Sequence, residues 1–298
     1  MGLATKAIKQ KIKSVNNIKK ITKTMEMVSV SKMKKTTERV TRGRAYSRYA
    51  LELLHHVAGE RHISHPFLEE KKTGKVLVVV ISSNKGLAGA YNVNISKALT
   101  KYKSSTKKEV DCITIGKQSE KSARRNGLNV IASFIDFSEK STSEEFLVIR
   151  DILVTEFKTS KYEAVKVLYT EFKSSTSYKP FLMQVLPIKE NIYKDLLLPE
   201  DENIKKSNEK KNLGLYTFEP SEAEILDTVI SQLLEQAIFH TFLESLASEH
   251  SSRMFAMKNA NDSANTMVSE LTLYYNRVRQ GAITQEIAEI VGGAAAMS

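Results

Sequence analysis

KAIKQKIKSVNNIKKITKTMEMVSVSKMKK, running from Lys6 to Lys35, contains neither glycine nor proline. Apolar residues fall at Ile8, Ile12, Val15, Ile18, Ile21, Met25 and Val28, in steps of three and four. That spacing predicts one apolar stripe along a single helix. The unpunctuated run extends from Gly2 to Gly43, and a second one covers Ser221 to Arg279. There Ile225, Val229 and Leu233 open a stripe that resumes at Met267, Leu271, Tyr274, Val278, Ile283, Ile287 and Ile290. A helix over residues 5–58 would be roughly 80 Å long and one over 221–290 roughly 105 Å. Neither fits inside a compact domain.

Charge says how the two helices are satisfied. Residues 1–62 hold 15 Lys/Arg against 4 Glu, whereas residues 221–298 hold 4 Lys/Arg against 10 Asp/Glu. Two narrow-striped helices of opposite charge predict a coiled coil with each other. With other chain between them, antiparallel pairing is the simplest connection, and the longer second helix then projects beyond its partner.

The middle of the chain changes period. All five prolines lie between Pro66 and Pro220. The run KVLVVVIS (Lys75–Ser82) is continuous, apolar and β-branched, as in a strand buried on both faces. VDCITIG, NVIASF, EAVKVLYTEF and FLMQVLPI read as further strands, separated by the helical patterns NVNISKALTKY and EEFLVIRDILVTEF. Alternating strand and helix predicts a mainly parallel α/β sheet. The expected organisation is an N-terminal coiled-coil helix over 1–62, a Rossmann-like α/β domain over 63–196, a charged linker over 197–220 and a C-terminal coiled-coil helix over 221–298.

Composition excludes several classes. No run of 18 apolar residues exists, so no transmembrane helix is expected. The N-terminus lacks a signal-peptide core, and the single cysteine, Cys112, cannot form an internal disulfide, which favours a reducing compartment. The loop SSNKGLAGAYN follows a buried strand and precedes a helix, a setting that can bind phosphate. Gly86 and Gly89 give only G-x-x-G, however, without a dinucleotide or P-loop fingerprint, so a structural loop or protein contact is the better reading. His55, His56, His62 and His65 cluster, but no matched ligand spacing completes a metal site. Glu286 and Glu289 share a helix face without a pocket in which to act as acid and base. The basic first helix could follow nucleic-acid phosphates. Its unbroken apolar stripe instead favours a partner helix, with the lysines solvated or facing an acidic protein. The last stretch, AITQEIAEIVGGAAAMS, carries no charged side chain after Glu289.

Four blocks, ITKTMEMVSVSKMKK, SSNKGLAGAYN, SRMFAMKNANDSA and YNRVRQGAITQEIAEIVGGAAA, closely resemble the gamma subunit of rotary F-type ATP synthases, in that family's order. In the closing block Ile283, Thr284, Glu286, Glu289, Gly293, Ala294 and Ala296 stand where the family's signature is constrained. The resemblance implies an antiparallel coiled coil with a Rossmann-like domain. It also implies a central rotor shaft that couples transmembrane proton or sodium flow to ATP synthesis in partner beta subunits. The chain itself would be non-catalytic and hold no cofactor or metal. Its implied partners are the hexamer of alpha and beta subunits, the epsilon subunit and the c-subunit ring. Its implied place is peripheral, on the cytoplasmic face of a bacterial inner membrane or the matrix side of a mitochondrial one.

Individual roles follow by the same resemblance. Arg279 and Gln280 match a pair that bonds a catch loop of one beta subunit. Met25 matches a position near an acidic lever loop of beta, with Lys20, Lys23, Lys32 and Lys35 as charge partners. Arg253, Thr284 and Glu286 match positions that tie the two helices together and couple rotation to catalysis. Lys85, Gly86 and Gly89 belong to a contact loop at the base. Ile290, Val291, Ala294, Ala295, Ala296 and Met297 form a bearing end, where a charge would be desolvated and costly. Asn84 replaces the family's usual Asp, Ala88 stands where Cys is common, and Asn261 replaces Thr. The two-cysteine regulatory insert of chloroplast forms is absent. The competing class is a basic coiled-coil protein that binds nucleic acid, for which an uncharged end has no use.

Overall fold

The computed structural model describes residues 3–42, 66–71, 73–189 and 222–296. The linker expected over 197–220 and the cluster His55, His56, His62 and His65 lie outside the described residues. Helix α1 spans Leu3–Arg42, and the last helix, α5, spans Glu222–Ala296. Between them lie β1 (Lys75–Ile81), α2 (Tyr91–Ser105), β2 (Val110–Ile115), α3 (Lys117–Arg125) and β3 (Asn129–Phe134). A 3-10 turn (Ser143–Phe146), α4 (Leu147–Lys158), β4 (Tyr162–Ser174) and β5 (Ser177–Leu186) follow. The chain divides into two compact units, Met1–Val30 with Arg253–Ser298, and Ser31–Ser252. Among the described residues no helix is long and apolar enough to cross a membrane.

The second unit is built on a five-stranded sheet in the order β3-β2-β1-β4-β5. β1 runs parallel to β2 and β4, β2 parallel to β3, and only the β4–β5 hairpin is antiparallel. The β-branched run of β1 is central, and its alternate side chains enter different cores. Leu77, Val79 and Ile81 pack with Ile149, Leu153 and Phe157 of α4 and with Ile230, Leu234 and Phe242 of α5. Val76, Val78 and Val80 pack with Ile95 and Leu99 of α2 and Ala123 of α3. One face of the sheet is therefore closed by α4 and α5 and the other by α2 and α3, as a parallel sheet requires.

All five expected strands are present. Two helical segments differ from expectation. EEFLVIRDILVTEF begins as a 3-10 turn before α4, because Thr142 and Glu145 form a capping box. Helix α3, KQSEKSARR, has no apolar periodicity to announce it; only Ser119, Ser122 and Ala123 are buried along it.

In the first unit, α1 and α5 pair as an antiparallel coiled coil, with Lys19, Lys20, Lys23 and Thr24 lining one cleft together with Asn261. Its seam follows the predicted stripe only in part: Ile8, Ile12, Val15, Met25, Leu271 and Val278 are buried or half-buried. Within residues 5–30 of α1, Thr5, Ile8, Ile12, Val15, Lys19, Thr22, Glu26 and Ser29 are buried or half-buried along one line of alternating steps of three and four, with Asn16 and Met25 half-buried beside it. On α5 the corresponding line is Met257, Asn261, Ala264, Val268, Leu271, Tyr275, Val278 and Ala282, with the same alternation, and Ala260, Asn265 and Asn276 are half-buried beside it. Such a 3.5-residue repeat keeps one line facing a partner helix. Ile18, Ile21 and Val28, expected in the stripe, drift off that line and are 51%, 59% and 48% exposed. Met267 and Tyr274 drift off it on α5 and are also exposed.

Candidate coupling surface

The coiled coil leaves many large apolar side chains outside its seam. Beyond Val15 the most buried α1 positions of the seam are the small hydroxyl residues Thr22 and Ser29, each of which bonds its own helix. Thr22 donates to the Lys19 carbonyl at 3.0 Å and Ser29 to the Met25 carbonyl at 2.7 Å. Around Thr22 and Ser29 the α1 side of the seam therefore holds little apolar volume, although Val268, Leu271, Tyr275 and Val278 line the α5 side, and many further large apolar side chains lie outside it. Ile18, Ile21, Met27, Val28 and Val30 are exposed on α1, and Met267, Leu273, Tyr274, Ile283, Ile287, Ile290 and Val291 on α5. Contiguous apolar residues on a surface mark a contact with another body.

The α5 terminus carries this furthest. Every described side chain from Ile283 to Ala295 is exposed, with Ile290 at 71% and Val291 at 62%. Gly292 and Gly293 have open space where a side chain would stand. Ala294 and Ala295 are exposed, Ala296 closes the helix, and Met297 lies outside the described residues. Arg279, Gln280 and Thr284 are exposed on the same stretch, Thr284 donating to the Gln280 carbonyl at 3.0 Å. Glu286 is exposed, whereas Arg253 is half-buried.

On α1, Met25 is half-buried and Lys20, Lys23 and Lys35 are exposed. Lys23 pairs with Glu26 at 3.2 Å. Lys32 is already engaged within the chain: it forms an ion pair with Glu139 of the loop after β3. Arg39, one turn or two further along, forks onto the backbone carbonyls of Glu139 and Ser141 in that loop and lies over the Phe239 ring of α5, 5.5 Å from its centroid. Burial pushes the Glu139 carboxyl up, but hydrogen bonds from Lys32 and the backbone outweigh it and hold the carboxyl below the usual range. Sequence reading missed this clasp, because nothing local distinguishes Arg39 from the other basic residues of α1.

A second set of contacts fastens α5 to the sheet. From His240 to Ser252 every residue of α5 is buried, and one face presents hydroxyls. Ser245 Oγ lies 2.7 Å from Tyr91 Oη and accepts the Thr170 amide at 3.3 Å. Ser248 donates to the Thr170 carbonyl at 3.2 Å, Ser251 to the Ser175 carbonyl, and Ser252 to the Ala88 carbonyl at 2.6 Å. Small side chains let the helix approach β4 closely, and each hydroxyl answers a backbone group that burial would otherwise leave unpaired. The serine spacing in SLASEHSS was the available signal.

The loop between β1 and α2 is held by its own polar groups. Ser83 Oγ donates to the Lys85 carbonyl at 2.6 Å, and Asn92 Nδ2 donates to Ser83 Oγ at 2.7 Å. Asn84 accepts the Lys117 amide at 3.0 Å and donates to the Ile135 carbonyl at 2.8 Å. Lys85, Gly86 and Gly89 are exposed, Gly89 at a φ of 53°. Leu87 is 66% exposed and also left-handed, with φ 61°. Among the described residues no group of three or more His, Cys, Asp or Glu could hold a metal ion. Cys112 is buried, and burial pushes its thiol up to about 12, which leaves it unreactive.

Comparison with known proteins places these features in a family. The family described as ATP synthase matches residues 4–297. The ATP synthase gamma chain of Buchnera aphidicola is 37% identical over 299 residues, covering 99% of each chain. A chain of the Euglena gracilis mitochondrial ATP synthase rotor superposes with a TM-score of 0.63 at 18% identity, covering 94% of this chain and 99% of that one. A chain of the same organism's OSCP/F1/c-ring assembly superposes with a TM-score of 0.67 at 18% identity, covering 99% and 94%. The last two likenesses concern the fold.

Proposed function

The chain belongs to the ATP synthase gamma-chain family, and from that premise we propose that it is the non-catalytic rotor shaft of such an enzyme, coupling transmembrane proton or sodium flow to ATP synthesis in beta subunits. The observation that carries this reading is the apolar exterior of the coiled coil. A freestanding coiled coil hides its apolar residues in the seam; this one buries Val15 and Met257 there beside Thr22 and Ser29, yet leaves Ile18, Ile21, Val28, Ile283, Ile287 and Ile290 outside. Such an exterior is satisfied by an enclosing body, the role of a hexamer of alpha and beta subunits. An uncharged end at Ile290–Ala296 turns in an apolar sleeve without fixed hydrogen bonds that would favour one angle.

Arg279 and Gln280, exposed on α5, suit contacts to a beta-subunit loop, and Met25 with Lys20, Lys23 and Lys35 suits an acidic loop of the same partner. Lys32 contributes less, being engaged by Glu139. Arg253, Thr284 and Glu286 retain their proposed part in coupling, and Lys85, Gly86 and Gly89 theirs in a contact at the base. The c-subunit ring and the epsilon subunit complete the proposed partners, with the chain peripheral to the membrane. Exposed ion pairs are worth at most about 1 kcal/mol each, so steric contact carries most of the torque and charge tunes preferred angles.

The test is ATP hydrolysis by alpha and beta subunits from the same source, with and without this chain. Assembly of one chain per hexamer with restored cooperative turnover supports the reading. Failure to join the hexamer, together with salt-sensitive duplex DNA binding, would replace it with the nucleic-acid alternative.

A further inference from the structure

The sheet face opposite α5 is closed by α2 and α3, and the outer surface of these two helices is strongly basic. Ser122 donates to Ser96 at 2.8 Å and Thr100 to Asn126 at 2.8 Å, which sets the helices side by side. Ile95 and Leu99 of α2, with Ser119 and Ala123 of α3, face the sheet. At about 100° per residue, Lys97 and Lys101 on one helix and Lys121 and Arg125 on the other then flank the outer side of that joint. All four are exposed, as is Lys117. α2 contains no carboxylate. α3 contains one, Glu120, which accepts from Arg124 at 2.8 and 3.0 Å. Lys103 of α2 donates to the Asn126 carbonyl, and among the described residues none of the six cations other than Arg124 on these two helices has an ion pair.

We propose that this face binds the anionic headgroups of a lipid bilayer. The inference rests on the rotor reading, which sets the chain in a membrane-based assembly. Composition selects the occupant. The desolvated core of a protein interface is depleted in lysine and built around aromatic and apolar anchors. Here five of the six cations without an ion pair are lysines and the only large apolar side chain exposed on either helix is Val93. Lysine is a hydrated point charge on a flexible stem and needs no partner of fixed geometry. A layer of mobile phosphates offers that kind of diffuse attraction, which acts within about one Debye length of the surface. The absence of an apolar or aromatic wedge from this face makes the contact superficial, suited to a subunit that must move past the surface it touches.

The experiment uses the chain assembled with alpha and beta subunits and sedimented with vesicles of phosphatidylcholine alone or mixed with phosphatidylglycerol. One variant combines Lys97→Gln, Lys101→Gln, Lys121→Gln and Arg125→Gln; the control combines Lys6→Gln, Lys9→Gln, Lys11→Gln and Lys13→Gln in α1. Glutamine keeps the helix propensity of the residues it replaces, and matched thermal melts confirm folding. The expected result is binding to mixed vesicles only, lost at high salt, with at least about a tenfold decrease for the first variant and a much smaller one for the control. Equal binding by the wild-type and first-variant complexes overturns the proposal, as does an equal loss in the control. Tighter binding to poly-glutamate than to vesicles, abolished by the first variant, overturns it in favour of an acidic protein. If the wild-type chain fails to assemble, the rotor reading falls; the same comparison on the full chain alone then decides the lipid contact separately.

Discussion

Asn84 uses both ends of its amide, accepting from the Lys117 backbone at the start of α3 and donating to the Ile135 carbonyl after β3. A carboxylate at this position keeps the first contact, and the α3 N-terminus favours its charge, but it cannot make the second. Asn84→Asp is therefore expected to cost under about 1 kcal/mol, and Asn84→Ala, which loses both contacts, more. Urea unfolding of the two variants in parallel tests that order. Ser245 is a harder constraint, because it is fully buried and serves Tyr91 and Thr170 together. Ser245→Ala leaves buried polar groups short of a partner and should cost about 1–3 kcal/mol. In a double-mutant cycle with Tyr91→Phe the two losses should be less than additive; strict additivity would mean that the hydroxyls do not act as a pair.

At the scale of elements, α1 does two different jobs along its length. In its first part it presents Ile18 and Ile21 outward, so replacing both with serine should change the stability of the free chain by no more than about 0.5 kcal/mol. The same change should weaken assembly with the hexamer, measured as the chain concentration needed for half-maximal stimulation of hydrolysis. Further along, Lys32 and Arg39 clasp the loop that carries Glu139. The Glu139 carboxyl is held below its ordinary range, so its stabilising contribution is complete above the unfolded carboxylate value of about 4 and disappears as the pH falls through the lower folded value. Glu139→Gln should thus cost up to about 1 kcal/mol near neutrality, and the two proteins should converge in acid. A difference that persisted or grew at low pH would remove Glu139 from the clasp.

For the whole molecule, the distribution of apolar surface matters more than any one contact. Ile18, Ile21, Ile283, Ile287 and Ile290 are displayed, and within the second unit the sheet holds residues 222–252 of α5 through serine hydroxyls while Arg39 clasps the loop after β3. Removing Ile290 to Ser298 should leave the thermal stability of the free chain almost unchanged, because every described side chain there is exposed. In the assembled enzyme the same truncation should reduce cooperative turnover without abolishing it. Complete loss would give the end of α5 a specific coupling role rather than that of a bearing.

Local pattern was enough for the architecture. The β-branched runs of β1 to β5, the absence of glycine and proline from α1 and most of α5, and their opposite charges each act over a few residues, and all can be read without coordinates. The uncharged end was equally plain, as was the family resemblance of the four sequence blocks. What only the tertiary structure decided was which side of each long helix faces its partner. Hydrophobicity pointed to Ile18, Ile21 and Met267, but a seam must repeat every 3.5 residues, and that geometry chose Thr22, Ser29 and Ala264 instead. Helix α3 was hidden for a related reason: its buried positions are serines and an alanine, stabilised by their neighbours rather than by their own transfer from water. The Arg39 fork, the serine face of α5 and the basic surface of α2 and α3 join residues distant in sequence, and only the folded chain brings them together.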